Sequence, residues 1–147
     1  MSSDGRTVLL VEDDTNDVLL VRRAFRKAGL TARIEVASDG EAAVEYLGRA
    51  QTHGAPGLLL LDLKLPRRPG LEVLGWLRDQ PGLRRLPVVV LTSSRENADV
   101  NRAYDLGANS FLVKPVGFAE LLEMVKTLNL YWLQMNEAPE LQSDPWQ

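Results

Sequence analysis

Two stretches of this chain are apolar at every consecutive position, Leu58–Leu61 (LLLL) and Val88–Leu91 (VVVL), and Thr7–Val11 (TVLLV) is nearly so. A strand with one face in water alternates apolar and polar residues, whereas a strand covered on both faces has no need to. Runs this short therefore read as strands of a parallel sheet with helices above and below it. Ile34–Ala37 and Phe111–Val113 complete a set of five. Between the runs lie segments of helical period, roughly Asn16–Ala28, Gly40–Ala50, Leu71–Asp79, Asn97–Leu106 and Phe118–Gln134. Ser38-x-x-Glu41 and Ser93-x-x-Glu96 have capping-box spacing, Asp14 or Thr15 stands where the first helix needs a cap, and Gly29 and Gly107 fall where helix ends favour a left-handed residue. Five strand–helix units with short connections imply βαβ crossovers and an α/β fold with helices on both faces. Gln80–Pro87 (QPGLRRLP) reads as a surface connection, and the tail EAPELQSDPWQ as loosely attached.

Composition removes several function classes. At 147 residues, with 45% hydrophobic and 25% charged, the chain has the size and balance of one globular domain. It has no cysteine, so disulfide scaffolds, thiolate zinc sites and cysteine nucleophiles are excluded together. Its one histidine, His53, reads as a surface residue in a turn-like THGAPG segment, which leaves little for histidine metal sites or a catalytic triad. Apolar runs stop at four residues, far short of the ~20 a membrane helix needs, and MSSDGRT at the start has no apolar signal region. Seventeen basic against twenty acidic residues give −3, which argues against nucleic acid as a partner through bulk charge. The expectation is a cytoplasmic protein without membrane contact.

In an open parallel sheet, ligands bind beyond the carboxyl ends of the strands, where the strand order reverses. The residues following each apolar run are thus the ones to inspect. Glu12, Asp13 and Asp14 follow the first run, Asp62 the third, Thr92, Ser93 and Ser94 the fourth, and Lys114 and Pro115 the fifth. Any one such acid could merely cap the next helix. In the strand order 2-1-3-4-5, however, the first and third strands are neighbours, and acids packed that closely are costly unless a cation joins them. Carboxylates, a carbonyl and waters around a hard ion describe a magnesium site. Glu12, Asp13, Asp62 and Lys114 together carry −2, which a divalent ion neutralises. If Asp62 became an acyl phosphate of about −2, the site would stand near −1 with the metal and near −3 without it. The pocket suits a doubly charged group on a carboxylate in the presence of a metal, which is phosphoryl transfer by positioning and charge neutralisation.

Four segments carry a resemblance: VEDD (Val11–Asp14), LLLLDLKLPRRPG (Leu58–Gly70), VVVLTSS (Val88–Ser94) and FLVKP (Phe111–Pro115). In this order and spacing they resemble the receiver domains of two-component response regulators, over roughly residues 6–134. The resemblance implies a flavodoxin-like (βα)5 sheet, a short tail over 135–147 and no output domain. It also implies that Asp62 accepts a phosphoryl group from a histidine kinase. Asp13, Asp62 and the backbone carbonyl of Lys64 would bind Mg2+ directly, with Glu12 acting through water. Lys114 would pair with phosphoryl oxygens, Thr92 would hydrogen-bond one of them, and Phe111 would occupy an aromatic switch position. The Lys114–Pro115 peptide would be cis. The LPRRPGLEVLGWLRDQPGLRRLPVVVLTSS stretch and the tail LNLYWLQMNEAP further resemble stand-alone receivers associated with bacterial phytochromes, so the kinase would be light-regulated.

Two positions depart from the pattern common in that family. Pro69-Gly70 replaces an Asp-Gly turn without touching a metal ligand, and Lys64 is basic where a neutral residue is common. Lys64 and Ser94 are candidates for setting the lifetime of the phosphorylated state. On the last helix, Phe118, Leu121, Leu122, Val125 and Trp132 form a core stripe, while Met124, Leu128, Tyr131 and Met135 form a second row suited to a homodimer contact. Arg22, Arg23, Arg26 and Lys27 read as a solvated face of the first helix, with Leu19 or Leu20 available for a kinase contact, and Trp76 reads as packing. A dehalogenase-like phosphatase would need an acid at Lys64, and a flavodoxin-type FMN carrier would not place Glu12-Asp13-Asp14 against a phosphate. A pseudo-receiver that only binds proteins is the remaining alternative, and it would normally have lost an acid or the lysine.

Overall fold

The structure, a computed structural model, describes residues 7–141, apart from the side chains of residues 51–53. Strands β1 (Thr7–Val11), β2 (Arg33–Ala37), β3 (Leu58–Leu61), β4 (Val88–Thr92) and β5 (Ser110–Val113) alternate with helices α1 (Thr15–Lys27), α2 (Gly40–His53), α3 (Gly70–Arg78), α4 (Asn97–Asp105) and α5 (Phe118–Leu128). All strand pairs are parallel, in the order β2-β1-β3-β4-β5. This is the flavodoxin-like topology that the resemblance implies, built on the parallel strands expected from the apolar runs.

The period of two along each strand explains why the runs are unbroken. Leu9, Val11, Leu59, Leu61, Val88 and Val90 point into one core layer with Ala43 and Leu47 of α2, Val73, Leu74 and Leu77 of α3, and Ala103 of α4. Val8, Leu10, Leu58, Leu60 and Val89 point into the other, against Val21, Ala24 and Phe25 of α1 and Leu121 and Val125 of α5. Each leucine of β3 is thus buried, alternately on opposite faces. The edge strands β2 and β5 are only half covered, and their sequences RIEVA and SFLV admit polar residues accordingly.

Gly29 and Gly107 do take positive φ, 71° and 102°, just past α1 and α4. The capping boxes do not form. Asp39, not Ser38, caps α2 by accepting from Ala42 N–H at 2.7 Å, the two residues being adjacent and both competent caps. At α4 the boundary residue is Glu96, without a side-chain cap bond; Ser94 Oγ accepts from Glu96 N–H and donates to Asp99 instead. The Gln80–Pro87 connection is more than surface. Leu83 and Leu86, a helical turn apart in spacing, are both fully buried and close the end of the first core layer.

The last helix also differs from expectation. Its α-helical part ends at Leu128, and wider π-helical turns continue over Asn129–Met135, keeping Trp132 and Leu133 against the second layer. Leu128 itself is only 5% exposed, because residues 121, 125 and 128 share one stripe at i, i+4 and i+7. Leu128 is therefore core, not part of the surface row assigned from sequence. The chain beyond is docked as far as it is described: Arg85 Nη1 donates to Glu140 O at 3.1 Å, and Leu141 packs on the first layer. Residues 142–147 and the side chain of His53 lie outside the described residues. Among the described residues, no helix is long and apolar enough to cross a membrane.

Candidate phosphoryl-acceptor site

Backbone pairing continues one step past β3 and β5 and thereby assembles the site. Asp62 N–H donates to Val11 O at 3.1 Å and Lys114 N–H to Thr92 O at 2.8 Å. These bonds bring Thr92, at the end of β4, and the first polar residues after β1, β3 and β5 to one edge. Asp14 turns the chain into α1, its carboxylate accepting from Asn16 N–H at 2.8 Å and Asp17 N–H at 3.2 Å. Glu12 and Asp13 are left facing the cleft. At the other rim Gly70 packs against the backbone of Asp62, where a Cβ would lie 2.2 Å from Asp62 O. No other residue fits that approach, which accounts for glycine after Pro69.

Asp62 is buried, and each of its oxygens is engaged. Oδ1 accepts from the Thr92 hydroxyl at 2.8 Å and from Lys64 N–H at 3.1 Å, and Oδ2 accepts from Lys114 Nζ at 2.9 Å. Lys114 Nζ also meets Glu12 Oε1 at 2.6 Å and Asp17 Oδ2 at 2.8 Å. Burial alone would raise the pKa of Asp62, but hydrogen bonds from Lys114, Thr92 and Lys64 and the lysine's charge outweigh it, and Asp62 titrates below the ordinary value. Glu12 is served less well. Burial, helped by the charge of Asp62, pushes it up to about 7 against the opposing bonds from Lys114 and Asp14 N–H. Lys114 loses some stability to burial, yet three carboxylates hold it firmly charged.

Glu12, Asp13 and Asp62 each offer a carboxylate oxygen, all within 4.8 Å of one another. Three hard oxygen donors, one exposed on Asp13 and two buried, fit a divalent cation of the Mg2+ class. The structure thus brings together Glu12, Asp13, Asp62, Thr92 and Lys114. Lys64 contributes its N–H to Asp62 while its side chain is exposed. Ser94 is buried and tied to Asp99, linking the Thr92 loop to α4. Phe111 is half-buried against the first core layer, on the strand opposite Val90. The Lys114–Pro115 peptide is trans, not cis, trans remaining the favoured isomer before proline by a small margin. Of the second surface row, Tyr131 is 50% and Met135 65% exposed, and Met124 is partly covered.

Asp17 was missed in the sequence. It reads as an ordinary acid in the first turn of a helix. Its signal is position: it lies one turn before Val21 on the stripe that continues through Ala24 and Phe25 into the core. An acid on a buried stripe calls for a partner, and here the partner is Lys114.

Comparison with known proteins agrees with this fold. The sequence profile of the response regulator receiver domain matches residues 8–126. The probable methanogenesis regulatory protein FilR2 of Methanothrix harundinacea is 42% identical over 140 residues, spanning 94% of this chain and 90% of that protein. Response regulator Rcp1 of Synechocystis is 36% identical over 141 residues, covering 94% and 96%, and its Mn2+-bound crystal structure superposes with a TM-score of 0.81 over 91% of this chain and 99% of that one. The phosphorylated cyanobacterial phytochrome response regulator RcpA superposes with a TM-score of 0.85 at 33% identity, over 91% of this chain and 98% of its own.

Proposed function

This chain belongs to the response regulator receiver domain family, and on that premise we propose that Asp62 accepts a phosphoryl group from a phosphohistidine of a partner kinase, with Mg2+ as the required cation. The observation that carries the reading is the environment of Asp62: a buried carboxylate kept ionised by Lys114 and Thr92, beside Glu12 and Asp13. In the transfer, an Asp62 oxygen forms a bond to phosphorus as the bond from phosphorus to the imidazole nitrogen breaks, and the imidazole leaves with that electron pair. Lys114 takes up charge on the transferred oxygens. The Thr92 hydroxyl exchanges Asp62 Oδ1 for a phosphoryl oxygen, and its loop follows. Asp13, Asp62, the Lys64 carbonyl and, through water, Glu12 would hold Mg2+, which supplies the positive charge that offsets the second negative charge on Asp62.

Ser94 and its bond to Asp99 carry the movement of Thr92 to α4, and Phe111 moves its ring within apolar space, lacking a hydroxyl to follow. The output is a changed affinity for partners at the face of α4, β5 and α5. The exposed row of Tyr131 and Met135, with Met124 beside it, is a homodimer contact in this reading. The likeness to RcpA supports a phytochrome-type kinase as donor, and the protein works in the cytoplasm without nucleic acid or membrane. The experiment is incubation with acetyl phosphate and Mg2+ followed by intact mass. Wild type gains one phosphoryl adduct that is absent in Asp62→Asn and in EDTA; an adduct that survives the substitution, or none in wild type, refutes the assignment. Sedimentation of Tyr131→Asp separately tests the dimer: a shift to monomer is expected, and an unchanged profile refutes the contact.

A further inference from the structure

An ammonium has three hydrogens to donate, and all three of Lys114 are taken, by Glu12, Asp62 and Asp17. Asp17 stands apart from the other two. It is not one of the three acids whose oxygens cluster for a cation, its side chain is 34% exposed, and it belongs to α1 rather than to a strand end. With Asp17 included, the site carries four acids against one lysine. A phosphoryl oxygen that pairs with Lys114 therefore meets a donor already committed and one more negative charge than Glu12, Asp13 and Asp62 account for.

We propose that Asp17 is a positioning residue that holds Lys114 Nζ at the rim of the site and, through its charge, opposes the second negative charge arriving at Asp62, so that it sets how long the protein stays phosphorylated. This rests on the reading of Asp62 as phosphoacceptor. With acetyl phosphate as donor, an Asp62 oxygen bonds to phosphorus while the bond from phosphorus to the acetate oxygen breaks, acetate leaving with the electron pair. Charge at Asp62 rises from −1 to about −2. Asp17 contributes no atom to the step; it acts through Lys114 and through the field.

Asp17→Asn keeps an oxygen to accept from Lys114 and removes the charge, whereas Asp17→Ala removes both. With Mg2+ present and the donor removed, the adduct on Asp17→Asn should outlast that on wild type by roughly threefold to tenfold at low salt, the size of effect expected of one half-screened charge. The gain should shrink toward about 0.5 M KCl as screening shortens. Asp17→Ala should gain less, its ammonium having lost the tether. A role confined to the start of α1 would lower the melting temperature of both variants and leave the salt dependence of the half-life as in wild type, which would overturn the proposal. So would an Asp17→Asn half-life within twofold of wild type at every salt concentration. Absence of any adduct on wild type would instead refute the reading of Asp62, so the two failures are told apart in the same samples.

Discussion

At the carboxyl ends of the strands three carboxylates crowd one ammonium, with Asp13 a fourth acid at the same edge, while at the amino ends of β4 and β5 one guanidinium is spread over neutral oxygens. Arg78, at the end of α3, donates to Gly107 O from Nη2 at 2.6 Å and Nε at 3.1 Å, and to Arg84 O and Leu86 O from Nη1, both at 2.8 Å. Its Nη2 also reaches Asn109 Oδ1, which in turn accepts from Val88 N–H. Burial lowers the pKa of Arg78. Every charge there is satisfied by hydrogen bonds that no ligand disturbs. At the opposite edge the bonds are equally short but the charges do not balance, and a bound cation or phosphoryl group would change each of them. One end of the sheet is built to stay and the other to respond.

That contrast breaks first at the stable end. Arg78→Ala leaves three carbonyls and Asn109 short of a donor and should cost on the order of 3 kcal/mol in urea unfolding, while the folded protein phosphorylates at the wild-type rate. A loss of phosphorylation in the folded variant would show the two ends to be coupled.

The responsive end should reveal itself through pH. Glu12 titrates near 4.5 in an unfolded chain and near 7 when folded. Between those values the folded state keeps a proton that the unfolded state has lost, so metal-free stability should fall as pH rises from about 4.5 to 7, by as much as ~3 kcal/mol. Asp62, lowered by its bonds, acts in the opposite sense, and its contribution is lost only as pH drops below the ordinary carboxylate range. Because Mg2+ displaces the proton, it should raise the melting temperature more at pH 7.5 than at 5.5. Glu12→Gln should flatten the metal-free pH profile; a profile as steep as wild type would assign the titration elsewhere.

The smallest effect concerns Lys64. Its side chain is exposed two residues beyond Asp62; if the ammonium swings over a phosphoryl group there it would hinder the attacking water, so Lys64→Asn should shorten the life of the adduct by a few-fold. An unchanged rate of autodephosphorylation would leave Lys64 as a solvated lysine.

Much of this was legible in the residues, and for a physical reason. A strand covered on both faces must be apolar throughout, so LLLL and VVVL announced β3 and β4, and the first polar residues beyond them announced the site. Asp62, Thr92 and Lys114 are found this way because strand pairing fixes their height at the edge. What depends on helix phase was harder. Leu128 looks like a surface residue until the stripe through Leu121 and Val125 is extended to it, and Asp17 looks like a dipole acid until Val21 and Ala24 place it above the core. Polar neighbours concealed the rest: QPGLRRLP hides two buried leucines, and the tail reads as free although Leu141 returns to the core.

The central claim is that a phosphoryl group on Asp62 is felt by Lys114 and Thr92 and by nothing at the other end of the sheet. Hydrogen exchange of the Mg2+-loaded protein, measured by mass spectrometry before and after phosphorylation with acetyl phosphate, tests it directly. Protection should change over residues 92–99, 111–116 and the first turn of α1, and stay constant over 78–87 and 107–109. A phosphorylated protein with no change at 92–99, or with its largest change around Arg78, would contradict the account.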